Sequence, residues 1–549
     1  MSPDPYDVVP TFWDRHREWI APAVVSALTV FLLVAAFPPL HAPEAAYACL
    51  APGVFWAYLR PRLRVYAGTM LAAQAVAWTI NLSWLHPVTW AGLFVLGPLV
   101  GVWTGAWYLA AWWTMPRMLG RPTPVRLLAL LGLAGVWVVI EWTRTWVLGG
   151  FPWMPLAATQ CEVKTRSMIQ VAAFTGAGGV SFVVVAANIG LAAFVHRLFR
   201  EGEVGLRRRS PEFLLALFLF LACLSIHVQE SVNRAQFTVP FARVGFVQPD
   251  IPAMVKWEPA KEPEIMRTLW STTLAAGQSR PDLILWPEAP TPFALNEDPT
   301  MRKFVEELSA RTRAPLLIGA EAVERADPRR PAAYNAAFVV DPALGVQKAY
   351  YAKRRLVQFG EYIPLRPLFG WIGTFVPLGD DTSAGTDPSP LVVSMPRGAA
   401  AFGVLICYED VFPELGRDEV RSGAEALVVL TNDAWYGEGA AAYQHAAHSI
   451  LLAVETRRPV LRCGNAGWSG WIDEFGTVRK VMADDTGSVY FRGSAEADVT
   501  RDRRWVGRDS FYVEHGDWFV LACALMAFTG TVLLGVWGEL PAAHGKGGP

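Results

Sequence analysis

The sequence predicts a bundle of about eight membrane-spanning α-helices with one α/β domain inserted before the last of them. Three observations carry this. Of 549 residues, 53% are hydrophobic and only 18% are charged, whereas about a quarter of a soluble domain is charged. Long apolar stretches follow one another through the first 230 residues, and one more stands near the C-terminus. Between them, over residues 240–500, short β-rich runs alternate with helix-like ones, the pattern of a domain with largely buried strands.

The apolar stretches lie near 19–40, 45–59, 66–85, 89–114, 124–148, 168–196, 212–228 and 517–538. Most reach the roughly 20 residues that a helix needs to cross hydrocarbon; the second is short. A soluble bundle would have polar outer faces, but residues 90–113 (WAGLFVLGPLVGVWTGAWYLAAWW) carry no charge on any face. The first stretch ends in Phe37-Pro38-Pro39 without a small-residue cleavage site and is followed by further spans. It reads as an uncleaved helix. Trp, at 24 residues, suits the boundary between lipid and water.

Loop charges set the orientation. Arg60, Arg62 and Arg64 follow the second stretch, Arg117, Arg121 and Arg126 the fourth, and Arg197, Arg200, Arg207, Arg208 and Arg209 the sixth. The alternate loops carry only Lys164 and Arg166. The arginine-rich loops are expected in the cytoplasm, with the N-terminus and its Arg15 and Arg17. Seven crossings then place the α/β domain outside, and an eighth returns the C-terminus. The expected division is 1–230 as a seven-helix bundle, 231–510 as the catalytic domain and 511–549 as a final helix and tail.

A net charge of −1 offers no basic field for nucleic acid. The six cysteines include no C-x-x-C pair, so no metal centre or cofactor is expected. Each cysteine alone is most simply a small buried hydrophobe. Cys407 differs in its setting.

In α/β folds, functional groups collect at the carboxyl ends of strands. Three runs end that way: Leu283-Ile284-Leu285-Trp286-Pro287-Glu288, Tyr351-Ala352-Lys353 with Arg354 to Glu361 behind it, and Val404-Leu405-Ile406-Cys407-Tyr408-Glu409. Alone, Glu288 could be a surface carboxylate, Lys353 a solvated cation and Cys407 core. A Glu, a Lys and a Cys in that order on three strand ends is far more specific.

This set resembles the nitrilase superfamily, whose αββα sandwich carries a Glu-Lys-Cys catalytic set. The flanking residues fit too: W-P-E at 286–288, Y-x-K at 351–353, F-G-E at 359–361, C-Y-E at 407–409, Tyr334-Asn335 and Asn432-Asp433-Ala434-Trp435. The chain is similar, along nearly its whole length, to the bacterial apolipoprotein N-acyltransferase branch. Val247-Gln248-Pro249-Asp250-Ile251 with Lys256-Trp257, Glu141-Trp142-Thr143-Arg144, Gly150-Phe151-Pro152-Trp153, Gly179-Val180-Ser181-Phe182, Tyr443-Gln444-His445 and Glu455-Thr456-Arg457-Arg458-Pro459 carry that likeness. It departs from the branch's K-x-H-L-V-P-F-G-E pattern at Arg355 and Gln358, and again around Cys463.

The resemblance implies a ping-pong acyl transfer. Glu288 would be the general base, Cys407 the nucleophile and Lys353 the electrostatic partner of thiolate and oxyanion. Glu361 would orient Lys353, the Tyr408 N–H would be a second oxyanion donor, and Glu409 would support the triad. The implied acyl donor is a membrane phospholipid, and the implied acceptor is the N-terminal amine of a diacylglyceryl-modified apolipoprotein. The apolar run 364–378 (PLRPLFGWIGTFVPL) reads as an arm facing lipid. Phe369, Trp371, Ile372 and Phe375 are its candidate acyl contacts, with Trp257 from the branch pattern. A membrane-anchored nitrilase-type amidase shares the triad, but a small soluble amide needs neither eight spans nor the arm. A non-enzymatic scaffold would not require all three triad residues. A transporter would require more intramembrane charge than Glu141 and Arg144 supply.

Overall fold

The computed structural model describes residues 12–200, 210–232, 234–325, 331–371 and 381–536. They form two compact units: the described parts of 1–141, 181–221 and 520–549 make one, those of 142–180 and 222–519 the other. The segment 142–180, assigned above to the helical part, clusters with the α/β part.

In the first unit the apolar stretches are helical: Phe12–Ala35, Leu63–Asn81, Trp90–Gly105 running into Trp107–Met118, Thr123–Thr143, Ala177–Arg200 and Pro211–Ser231, with Trp518–Val536 at the end. Among the described residues, five helical stretches are long and apolar enough to cross a membrane: Trp90–Met118, Thr123–Thr143, Ala177–Phe199, Pro211–Ser231 and Trp518–Val536. Glycines let these helices approach closely, as small residues do in membranes. A Cβ on Gly132 would lie 2.8 Å from the Met526 carbonyl oxygen, and one on Gly135 2.6 Å from that of Cys523.

The second predicted span is broken. It forms a 3₁₀ turn, Pro43–Tyr47, then the eight-residue helix Ala51–Tyr58. Eight helical residues rise only about 12 Å, well short of a crossing. Irregular backbone at membrane depth has to be buried and satisfied by protein, and Asn188 supplies that. Its Oδ1 accepts from the Leu50 and Ala51 N–H groups at 2.7 and 3.1 Å, and its Nδ2 donates to the Ala46 carbonyl at 2.8 Å.

The second unit holds two six-stranded sheets. The first comprises β1 (Thr238–Gln248), β2 (Leu283–Leu285), β3 (Leu316–Glu324), β4 (Ala332–Asp341), β5 (Gly345–Ala352) and, paired outside β1, a last strand Gly493–Asp502. The second comprises β6 (Leu391–Met395), β7 (Gly398–Ile406), β8 (Ala426–Thr431), β9 (Val460–Gly464), β10 (Gly470–Ile472) and β11 (Val478–Val481). Gly493–Asp502 is β12. The central strands are parallel, β1-β2-β3 in one sheet and β7-β8-β9 in the other; the edges are antiparallel. Phe246, Leu285 and Leu317 of one sheet meet Phe402, Ile406 and Leu430 of the other in a buried core. Helices Glu262–Gly277 and Pro299–Thr312 cover the first sheet through Leu269, Val305 and Leu308. Helices Pro413–Arg421 and Ala440–Thr456 belong to the second. The layer order is αββα.

Candidate active site

Three strand ends deliver the three expected side chains. Glu288 follows β2 through Trp286-Pro287. Its turn presses on β3 at Gly319, where a Cβ would sit 2.4 Å from the Pro287 oxygen and 2.8 Å from the Glu288 Cα. Only glycine admits that approach. Lys353 follows β5, its backbone N–H donating to the Asn335 carbonyl of β4 at 2.8 Å. Cys407 ends β7 at a sharp corner: its φ is +53° and a 3₁₀ turn, Cys407–Val411, begins there. A left-handed conformation in a non-glycine residue is strained.

Lys353 is 1% exposed. Its Nζ donates to Glu361 Oε1 at 2.9 Å and to Glu288 Oε1 at 3.3 Å. Burial disfavours its charge, but the two carboxylates and the nearby Cys407 override that and hold the ammonium well above its ordinary pKa. Glu361 is fixed from its other oxygen by the Val357 N–H at 2.7 Å. Asn335, to which the sequence assigned no role, donates to Glu288 Oε1 at 2.7 Å and to Glu361 Oε1 at 3.3 Å. Lys256 is a second unassigned cation. Its Nζ donates to the Ala289 carbonyl at 3.1 Å, beside the Glu288 turn, and lies 4.5 Å over the Trp257 ring.

The Cys407 thiol is pushed upward in pKa, first by burial and then by the Glu288 carboxylate; Lys353 acts against both. The thiol is therefore protonated at rest, and losing its proton requires a base. Glu409 ties the corner together. Its Oε1 accepts from the Arg354 and Arg355 N–H groups at 2.6 and 2.9 Å, and its Oε2 accepts from the Ile406 N–H and the Tyr351 hydroxyl at 2.8 and 2.9 Å. The Lys353 loop and the end of β7 thus share one carboxylate. The Tyr408 hydroxyl donates to the Gly150 carbonyl at 3.2 Å, and its ring stacks on Phe151 at 6.3 Å.

The two residues that depart from the branch pattern grip the segment before Gly150. Arg355 Nη2 donates to the Thr145 carbonyl at 2.9 Å, and Gln358 Nε2 donates to that of Leu148 at 2.8 Å. Of the expected acyl contacts, Trp257, Phe369 and Trp371 are exposed at 53%, 38% and 63%. Ile372 and Phe375 lie outside the described residues. Among the described residues no cluster of His, Cys, Asp and Glu has metal-binding geometry.

A family model for carbon-nitrogen hydrolases matches residues 243–539, and one for the apolipoprotein N-acyltransferase N-terminal domain matches 30–190. The apolipoprotein N-acyltransferase of Geobacter metallireducens is 32% identical over 469 residues, covering 84% of this chain and 83% of that protein. The chain belongs to the apolipoprotein N-acyltransferase family. The Caulobacter vibrioides protein of the same name is 30% identical over 497 residues, 85% of this chain and 87% of that one. Among solved structures, an amidase from Nesterenkonia sp. aligns over 48% of this chain and 92% of its own, with 17% identity and a TM-score of 0.35. The family's membrane branch accounts for both parts of the chain, the apolar helices and the αββα domain.

Proposed function

We propose that this chain transfers an acyl chain from a membrane phospholipid to the N-terminal amine of diacylglyceryl-cysteine in a lipoprotein, through a thioester on Cys407. Family membership supports the overall reaction. The observation that carries the residue assignment is the convergence of Glu288 and Lys353 on the buried Cys407 thiol.

Glu288 takes the thiol proton as Cys407 Sγ attacks the phospholipid ester carbonyl. The carbonyl oxygen becomes an oxyanion, which faces the Lys353 ammonium. The tetrahedral intermediate collapses, the ester C–O bond breaks, and Glu288 returns the proton to the leaving oxygen, releasing lysophospholipid. The lipoprotein amine then attacks the thioester. Glu288 accepts its proton, the C–S bond breaks, and the thiol re-forms. A preorganised donor at an oxyanion is worth about 3–4 kcal/mol. Lys353, held by Glu361 and Glu288, is such a donor at no further cost of ordering. Asn335 fixes the base relative to the lysine. An apolar surround slows water, which competes for the thioester, and the exposed Leu365, Leu368, Phe369 and Trp371 suit a lipid boundary.

The enzyme is a bacterial membrane protein. We place it in the cytoplasmic membrane with the αββα domain on the outer side and both termini inside, on the loop charges alone.

The test is to incubate the purified full-length protein with labelled phospholipid. A label on the protein that hydroxylamine releases, absent in Cys407→Ala, is expected. Label persisting in Cys407→Ala, or none on the intact protein, would overturn the assignment. Turnover of small amides without lipid would indicate an amidase instead.

A further inference from the structure

Against the nucleophile's backbone lies a buried charge cluster that the mechanism above does not use. His445, on helix Ala440–Thr456, is 1% exposed, and its neighbours Asp410, Asp433 and Arg462 are at most 2% exposed. The imidazole Nδ1 is 2.8 Å from Asp433 Oδ1. Its Nε2 is 2.9 Å from Asp410 Oδ1, an ion pair too bent to be a hydrogen bond, and 3.3 Å from the Cys407 carbonyl oxygen, to which it donates. Arg462 closes the ring, Nη1 donating to Asp410 Oδ2 at 2.8 Å and Nη2 to Asp433 Oδ2 at 3.2 Å. Ser449 Oγ donates to Asp410 Oδ2 at 2.5 Å, and Thr431 Oγ1 to Asp433 Oδ1 at 3.3 Å. Trp153 packs beside the imidazole at 5.2 Å between ring centres. His448, on the same helix, accepts from the Met154 N–H at 3.1 Å and is kept neutral by burial.

A neutral imidazole has one N–H and one lone pair. Here both nitrogens face carboxylate oxygens at under 3 Å, so a lone pair on either side would meet an anion. The geometry therefore calls for an imidazolium. Charge counting agrees: two carboxylates, one guanidinium and one imidazolium sum to zero, whereas a neutral His445 would leave a net buried charge, which is costly. Burial and Arg462 oppose the proton, but Asp410 and Asp433 override them and hold the imidazole up to about 9.

The Cys407 carbonyl and the Tyr408 N–H share one planar peptide unit and point in opposite directions. Whatever fixes that carbonyl fixes the direction of that N–H. At φ +53° the Cys407 corner is a strained one that needs such an anchor.

We propose that His445, as an imidazolium, is a positioning residue for acyl transfer: it anchors the Cys407 carbonyl and so aims the Tyr408 N–H at the oxyanion. The proposal rests on Cys407 being the nucleophile, as argued above.

Two rates on the full-length protein in detergent test it. Thioester formation from labelled phospholipid develops an oxyanion; alkylation of Cys407 by iodoacetamide does not. In the wild type, raising the pH through about 9 should slow thioester formation while alkylation keeps rising as the thiol ionises. In His445→Gln, thioester formation at neutral pH should fall about 100-fold through kcat, the scale of one lost oxyanion donor. Its alkylation should stay near the wild-type rate, and its fall above pH 9 should vanish. Unchanged thioester formation in His445→Gln, or a parallel loss of both rates, would overturn the proposal. Should that variant not fold, the wild-type pair decides alone: thioester formation that climbs with alkylation past pH 9 overturns it. Absence of any thioester in the wild type would instead overturn the nucleophile assignment.

Discussion

At the scale of single residues, the site depends on two close tolerances. Cys407 pays for its position with a left-handed backbone, a conformation that costs an L side chain about 1–2 kcal/mol. Glycine does not bear this cost. Cys407→Gly should therefore be more stable than Cys407→Ala by about 1 kcal/mol, although both are expected to be inactive. Thermal midpoints in detergent compare them, and a midpoint for the alanine variant at or above that of the glycine variant would contradict the strain. Gly319 is the second tolerance. Its substitution by Ala forces a methyl into the Glu288 turn, with the Pro287 oxygen 2.4 Å away. Overpacking of this kind costs about 1–3 kcal/mol, and the turn that shifts carries the proposed base. Gly319→Ala should lower both the thermal midpoint and the rate of thioester formation, whereas Ala320→Gly one residue along should spare the rate. The three proposed catalytic residues could be picked out because each ends a hydrophobic run, a pattern local in sequence. Asn335, Lys256 and His445 were present in recognisable segments, but their roles arise from contacts spanning tens of residues, and no periodicity marks a polar side chain that bonds across a sheet.

At the scale of elements, hydropathy identified the apolar stretches and missed a break. Residues 45–59 are apolar enough, but Pro43 opens a 3₁₀ turn and Pro52 stands in the first turn of a separate short helix, and composition averages over such breaks. The cost of the break falls on Asn188, which bonds three backbone groups. Asn188→Leu leaves them without this partner, at about 1–3 kcal/mol for each buried unmet group. A clear fall in the thermal midpoint is expected, and a midpoint equal to the wild type would show that other groups satisfy the break. Strands gave a similar division. The buried runs of β1, β2, β3, β4, β7 and β8 were readable as continuous hydrophobic segments. β6, β11 and β12 are half-exposed edge strands and β10 is only three residues long, so their sequences look like loops until a neighbour pairs with them. Gln358 illustrates a further kind of element, a latch. It meets Leu148 through a carbonyl and leaves no room for a side chain on Gly149, whose Cβ would lie 1.6 Å from the Gln358 Nε2. Gly149→Ala, at a φ of +86°, should break that contact and loosen the loop between Lys353 and Glu361, seen as faster proteolysis within 354–361.

At the scale of the whole molecule, the reaction sets a requirement on sidedness. With a lipoprotein amine as the proposed acceptor and a phospholipid as the proposed donor, the αββα domain has to face the compartment where both are present. The proposed assignment of that compartment to the outer side rests on the arginines of the loops after the second, fourth and sixth stretches, because positive charge near a span is retained in the cytoplasm. In the proposed topology the backbone between residues 35 and 63, though broken, returns to the side of Arg60, Arg62 and Arg64. Single cysteines can decide this. All six native cysteines are buried, so in a Cys407→Ala background an introduced thiol dominates labelling. Asp485 and Arg62 are both exposed, and the proposed topology puts them on opposite sides. In intact spheroplasts a membrane-impermeant maleimide should label Asp485→Cys and leave Arg62→Cys unlabelled until detergent is added. Labelling of Arg62→Cys without detergent would place the arginine loops outside and invert the assignment. Labelling of neither would place the αββα domain in the cytoplasm, where a translocated lipoprotein's amine could not reach Cys407.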